Sequence, residues 1–151
     1  MADYEFDRTT NLPAAPETIW QRITDIPLLV GWISVLHDAR EVDRLKRYAA
    51  VIEDKVGMFR LRADLDIRVT DVEEQRRITL QAEGRDRQVG SRISIAATVQ
   101  LDPALDGTRL RVSGRYGITG NAATLGASAV KRKGTKVLDE FFGSLTAELS
   151  T

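Results

Sequence analysis

Residues 119–149, TGNAATLGASAVKRKGTKVLDEFFGSLTAEL, decide the fold. They read as a single long amphipathic helix. With Val137 at the centre of a helical wheel, Val130, Leu138, Phe141, Phe142, Leu145 and Leu149 share one broad face, as a 3.6-residue period requires. Arg132, Lys136 and Asp139 take the opposite, solvated side. Thr119 or Asn121 is a candidate N-cap, and Gly120 breaks the strand before it. The twenty-nine residues from Asn121 would span roughly 43 Å at 1.5 Å per residue. No other segment is long enough to cover a whole sheet, so the rest of the chain is expected to wrap around this helix.

The apolar face is uneven. Ala123, Ala127 and Gly134 line its first half, and the bulky residues line its second. Glycine inside a helix costs roughly 1 kcal/mol against alanine, so Gly134 needs a reason. Either something other than protein side chains fills the space, or the small residues allow close packing of helix on sheet. The helix by itself leaves both open.

Upstream, the pattern is that of strands. From Phe59 to Val69 apolar residues take every odd position and charged ones every even position, which means one face buried and one in water. Ile78-Leu80-Ala82, Ile93 to Leu101 and Leu110 to Tyr116 repeat this period of two, and Tyr48 to Val56 has it as well. Short polar breaks at 73–75, 84–87 and 102–107 predict antiparallel hairpins, because parallel crossovers need a dozen residues or more. Near the N-terminus, Tyr4 to Leu12 reads as a first strand. Pro16 starts a helix carrying Ile19, Trp20 and Ile23, and Asp25 caps a second running through Leu28, Leu29, Trp32 and Ile33. The expected architecture is α+β, a helix-grip. A curved antiparallel sheet of about seven strands wraps a long C-terminal helix, with two short helices after strand 1. With no linker and no repeat, residues 1–151 are read as one domain.

Composition narrows the function. The 22 basic and 22 acidic residues balance, which argues against nucleic acid as a main partner. There is no cysteine, so disulfides, thiolate nucleophiles and Cys-ligated metals are excluded. One histidine, His37, rules out His-based metal clusters. With no glycine-flanked serine elbow, it is read as a surface or turn residue and not as part of a catalytic triad. No metal or cofactor is expected. The acidic N-terminus lacks an apolar signal core and no run approaches a membrane span, so a cytoplasmic location is the expectation.

The ordered set of motifs resembles a known family. Leu12-Pro13-Ala14-Ala15-Pro16-Glu17 with Ile19-Trp20, Asp25, and Lys55-Val56-Gly57-Met58-Phe59 come first. Ala82-Glu83-Gly84-Arg85-Asp86, Asp106-Gly107-Thr108-Arg109-Leu110, Gly120 to Gly126, and Phe141-Phe142 follow. Together they resemble the family of the carbon monoxide dehydrogenase CoxG subunit, within the START-like (SRPBCC, Bet v 1-like) superfamily. The resemblance implies a deep cavity between sheet and final helix for a hydrophobic ligand, lipid or quinone-like. It also implies a molybdenum hydroxylase as partner and a role linking that enzyme to membrane quinones. Ser34-Val35 stands where the family usually carries Pro-Gly, and the chain ends at Thr151 without the apolar tail of some relatives. Docking on a membrane, if peripheral contact occurs, is therefore expected to differ.

Candidate ligand-binding residues are Trp32, Tyr48, Asp54, Phe59, Leu61, Ile95, Tyr116, Ala123, Ala127 and Gly134. Asp54 shares the inward phase of Tyr48 and Ile52, so it is either a buried anchor or proton donor, or a strand-end carboxylate that reaches water. Tyr48 and Tyr116 face inward by phase, as do Arg8 and Thr10. A buried tyrosine hydroxyl finds a ligand oxygen or, more mundanely, a backbone group. Trp32 and Phe59 frame a cavity mouth or simply pack. Lys131-Arg132-Lys133 with Lys136 reads as a solvated helix face. The leading expectation is a non-catalytic carrier. A cyclase- or dehydratase-like enzyme would instead require Asp54, Tyr48 and Tyr116 to converge, and a ligand-free interaction protein would have a closed core.

Overall fold

The structure, a computed structural model, describes residues 2–56, 59–86, 90–120 and 127–150. Strand β1 (Ala2–Leu12) is followed by helices α1 (Pro16–Ile23) and α2 (Ile26–Val30). Six strands come next: β2 (Leu36–Asp43), β3 (Arg47–Val56), β4 (Phe59–Glu73), β5 (Arg77–Asp86), β6 (Ser91–Ala104) and β7 (Gly107–Thr119). Helix α3 (Ala127–Leu149) closes the chain. All seven strands form one sheet in the order β1-β7-β6-β5-β4-β3-β2, and every pairing is antiparallel. This is the helix-grip arrangement expected from the alternating strands and the long amphipathic helix.

Register puts the inward residues in rows. One row crosses six strands: Tyr4 opposite Tyr116, then Ile95, Ala82, Ile67 and Tyr48. β3 and β4 pair without a bulge from Arg47↔Arg68 to Val56↔Phe59, so the inward phase of Tyr48 carries through to Asp54.

Three apolar clusters hold the layers together. Phe141, Phe142 and Leu145 of α3 pack with Ile19, Trp20 and Ile23 of α1 and with Leu12, Leu101 and Leu110 of the sheet. Val130, near the start of α3, packs with Leu61, Ala63, Ile93 and Ile118. Ile26 and Val30 of α2 cover Tyr48, Ala50, Leu65, Ile67 and Ala82. Polar ties fix the helix laterally. Arg8 Nη1 donates to Asp139 Oδ1 at 2.8 Å and its guanidinium lies 5.4 Å from the Phe142 ring centroid, while Ser34 Oγ donates to Glu140 Oε1 at 3.0 Å.

Two expectations change at element ends. The second helix stops at Val30 rather than continuing through Ile33, because Gly31 ends it and Trp32 and Ile33 continue as turns on Leu29 and Val30. Its expected cap holds: Leu28 N–H donates to Asp25 Oδ1 at 3.2 Å. Thr119, read as the start of the last helix, is the last residue of β7; the described part of that helix starts at Ala127, and residues 121–126, with the expected Asn121 cap and Ala123, lie outside the described residues. The strand missed in detail is β2, an edge strand with register shifts and Asp38 at φ 51°, mostly exposed and so lacking a readable period.

Candidate functional site

The concave face is closed at both ends and looser in the middle. Toward one end Leu101, Leu110 and Leu145 are buried, and toward the other Leu61, Ile93, Ile118 and Val130 are. Between them Ile95, Ala97 and Val99 of β6 and Gly114 and Tyr116 of β7 keep part of their surface accessible. Lys133, Gly134, Val137 and Leu138 of α3 do the same. Ile95 and Ile52 border two of the apolar clusters without being buried in either.

Tyr116 sits at one side of this region. Its ring stacks on Tyr4, with centroids 5.1 Å apart and planes 24° apart, and lies 6.2 Å from Phe6. Its hydroxyl end touches the backbone of Gly134, where a Cβ would overlap Oη and fall 2.5 Å from Cζ. Desolvation, and secondarily the neighbouring Tyr4, pushes the Tyr116 phenol above its ordinary pKa. A cleft of about 300 Å³ opens here, in the seam between β1 and α3. Tyr4, Phe6, Tyr116, Gly134 and Leu138 line it, and Asp3, Glu5, Lys131 and Thr135 form its polar rim.

Asp54 holds a second polar position. Lys133 Nζ lies 2.9 Å from Asp54 Oδ2, and Lys55 N–H donates to Oδ1 at 2.8 Å. Oδ2 is shut off from solvent, yet it accepts no aligned hydrogen bond, so the contact with Lys133 is an ion pair by distance rather than a directed bond. The reading of Lys133 as part of a solvated basic face is refined: it flanks the apolar face, one turn from Val130 and from Val137, and its side chain, still 37% exposed, pairs with the 22% exposed Asp54. That spacing was the signal available in the sequence.

The other candidates occupy varied positions. Tyr48 is 1% exposed, and its hydroxyl accepts the Leu45 N–H at 2.8 Å, so its polar end serves the β2–β3 turn. Trp32 packs on Phe141 with centroids 6.1 Å apart. Leu61 is buried beside Val130. The side chains of Phe59 and Ala127, and all of Ala123, lie outside the described residues. Tyr116 and Tyr48 share a row but stand four strands apart, about 19 Å along the sheet at 4.8 Å per spacing. Asp54 is six residues along β3 from Tyr48, about 20 Å at 3.3 Å each. These three groups do not form one constellation. His37 is exposed on edge strand β2.

Residues 9–150 match the family model for the carbon monoxide dehydrogenase CoxG subunit. The chain belongs to the CoxG family. No curated protein sequence matches it. Solved structures share the fold. A conserved protein from Geobacillus kaustophilus is 17% identical, with a TM-score of 0.79 and 97% of this chain and 95% of that one covered. A START superfamily protein from Mycobacterium smegmatis is 13% identical, with a TM-score of 0.70 and 97% of both chains covered. A protein from Thermus thermophilus is 16% identical, with a TM-score of 0.68 and 97% and 96% covered. The fold is START-like.

For a CoxG-family chain, two further features bear on function. Among the described residues no helix is long and apolar enough to cross a membrane. A groove of about 640 Å³ lies away from the concave face, at the corner of α1 and α2 with the β2–β3 and β4–β5 hairpins. Trp20, Ile26, Leu45 and Val72 line it, with Asp25, Glu41, Glu74 and Arg44 around them. Its residues come from three separated segments, 20–27, 41–45 and 72–74, so no local pattern in the sequence announces it.

Proposed function

We propose that this protein is a non-catalytic carrier that holds a hydrophobic small molecule, lipid or quinone-like, between the sheet and α3. One observation carries the reading. The middle of the concave face keeps accessible apolar surface while both ends are packed, at Ile95, Ala97 and Val99 of β6 and at Val137 and Leu138 of α3. Unfilled apolar volume is costly, at roughly 24 cal/mol per Å³, so an occupant is favoured. The seam between β1 and α3 is the natural way in, because it already opens onto Tyr116 and Gly134. Family membership supports an accessory role beside a molybdenum hydroxylase of the carbon monoxide dehydrogenase type, with cytoplasmic residence and contact with membrane quinones through the carried molecule. Dispersal of Asp54, Tyr48 and Tyr116 disfavours cyclase- or dehydratase-like chemistry using those groups.

The test is extraction of the purified protein with organic solvent, with mass spectrometry of what is released. Recovery of one lipid or quinone per chain supports the carrier. An empty extract, together with no thermal shift on adding decylubiquinone, overturns it.

A further inference from the structure

We infer that Asp54 and Lys133 form a charge-neutral polar anchor, which makes the interior select an amphiphile with a neutral hydroxyl or carbonyl head over a fatty-acid anion. The inference rests on the carrier reading and specifies the ligand class for that same interior. An inward lysine by itself would attract a carboxylate. Here a protein carboxylate already lies 2.9 Å from the ammonium. A second anion entering that space would meet Asp54 at close range and lose the attraction of Lys133.

The pair still has hydrogen-bonding capacity to offer. The Lys133 ammonium has three N–H donors, and its contact with Asp54 uses none of them in an aligned bond. Asp54 Oδ1 is engaged by the Lys55 N–H, while Oδ2 is sealed from water without an aligned donor. A hydroxyl head accepts from Lys133 and, where it enters between the paired groups, donates to Asp54 Oδ2. A carbonyl head takes the Lys133 donor alone.

Position supports the assignment. Asp54 follows Ile52 on the concave face of β3 and stands opposite Leu61 of β4. Lys133 is the chain neighbour of Gly134 on α3. The charges thus stand at the rim of the concave face, between the packed Leu61 and the partly accessible Ile52, with Ile95 beyond for a ligand tail.

Equilibrium dialysis with dodecanol and dodecanoate on the full chain tests this. The wild-type protein is expected to take dodecanol about tenfold more tightly than dodecanoate. Asp54→Asn leaves the shape and frees Lys133, so dodecanoate should then bind about tenfold better than to wild type. Such a gain cannot come from misfolding. Lys133→Gln should weaken dodecanol about tenfold and give dodecanoate no gain. If the wild-type protein takes dodecanol but Asp54→Asn gains nothing for dodecanoate, or Lys133→Gln leaves dodecanol unchanged, the anchor is overturned and the carrier stands. If no form binds either probe, the carrier reading falls and the anchor falls with it.

Discussion

Gly134 of α3 rests directly on the phenol of Tyr116 in β7, so close that a methyl group on its Cα would overlap the hydroxyl oxygen. This contact decides between the two explanations for a glycine inside a long helix. The missing side chain lets the Tyr116 ring lie under the helix, and the ring in turn borders the seam cleft. At this position the packing explanation holds, because a protein side chain fills the space.

Gly134→Ala should therefore destabilise the protein by about 1–3 kcal/mol through overpacking, less about 1 kcal/mol regained in helix propensity. In a Tyr116→Ala background the same substitution should be neutral or stabilising. Urea denaturation of the four proteins in a double-mutant cycle checks this. Equal losses with and without the Tyr116 ring would show that another contact governs position 134.

Tyr48 predicts a local effect. Its hydroxyl accepts the Leu45 N–H at a turn where Leu45 holds φ at 57°, a conformation that non-glycine residues rarely adopt. Tyr48→Phe leaves that N–H without its partner and should cost about 1–3 kcal/mol. Amide exchange at Leu45 should accelerate more than at the centre of β3. Uniform acceleration would mean that the ring, not the hydroxyl, supports the turn.

Alkaline pH should destabilise the protein in part through Tyr116. Burial raises its pKa above the ordinary 10.0, so the folded state keeps the proton after the unfolded chain has released it. This contribution is complete below pH 10.0 and is lost as pH rises toward the folded value. Thermal melts across that range should show a shallower alkaline decline for Tyr116→Phe than for wild type. Identical slopes would place the titration elsewhere.

On the acid side the sign reverses. Hydrogen bonds from Arg111 to Asp7, from Arg62 and Arg60 to Glu53, and from Arg47 to Asp66 hold these carboxyls below their ordinary values of 3.8 and 4.5. Their contribution is present above those values and is lost as pH falls through the lowered ones. All three lie on the solvated face, so the effect should be modest and weakened by salt. Arg111→Gln with Arg62→Gln should flatten the acid limb of a Tm-against-pH curve. A limb unchanged by these substitutions would refute the assignment.

Much of this molecule was legible because its patterns are local. Alternation from Phe59 to Val69 assigns a strand and its buried face together, since successive side chains leave a strand on opposite sides. Short polar breaks force antiparallel neighbours, and a 3.6-residue apolar period from Val130 to Leu149 demands a sheet to cover. Strand β2 escaped because an exposed, bulged edge strand has no such period. The end of α2 was misplaced because Trp32 and Ile33 keep a helical spacing in turns that follow Gly31.

The site was legible only as a set of inward phases. That Tyr116 and Asp54 face the helix follows from periodicity within each strand. That Gly134 meets Tyr116, that Lys133 leaves its basic neighbours to pair with Asp54, and that Tyr48 turns its hydroxyl to a hairpin are properties of the closed fold. Strand and helix periods dictate which way a side chain points. Which partner it finds depends on register, sheet curvature and the lateral seating of α3, and these arise from contacts between residues far apart in the chain. The sequence by itself therefore determined the sheet, the helix and the direction of each buried face. Only the tertiary structure decided which of the inward groups meet.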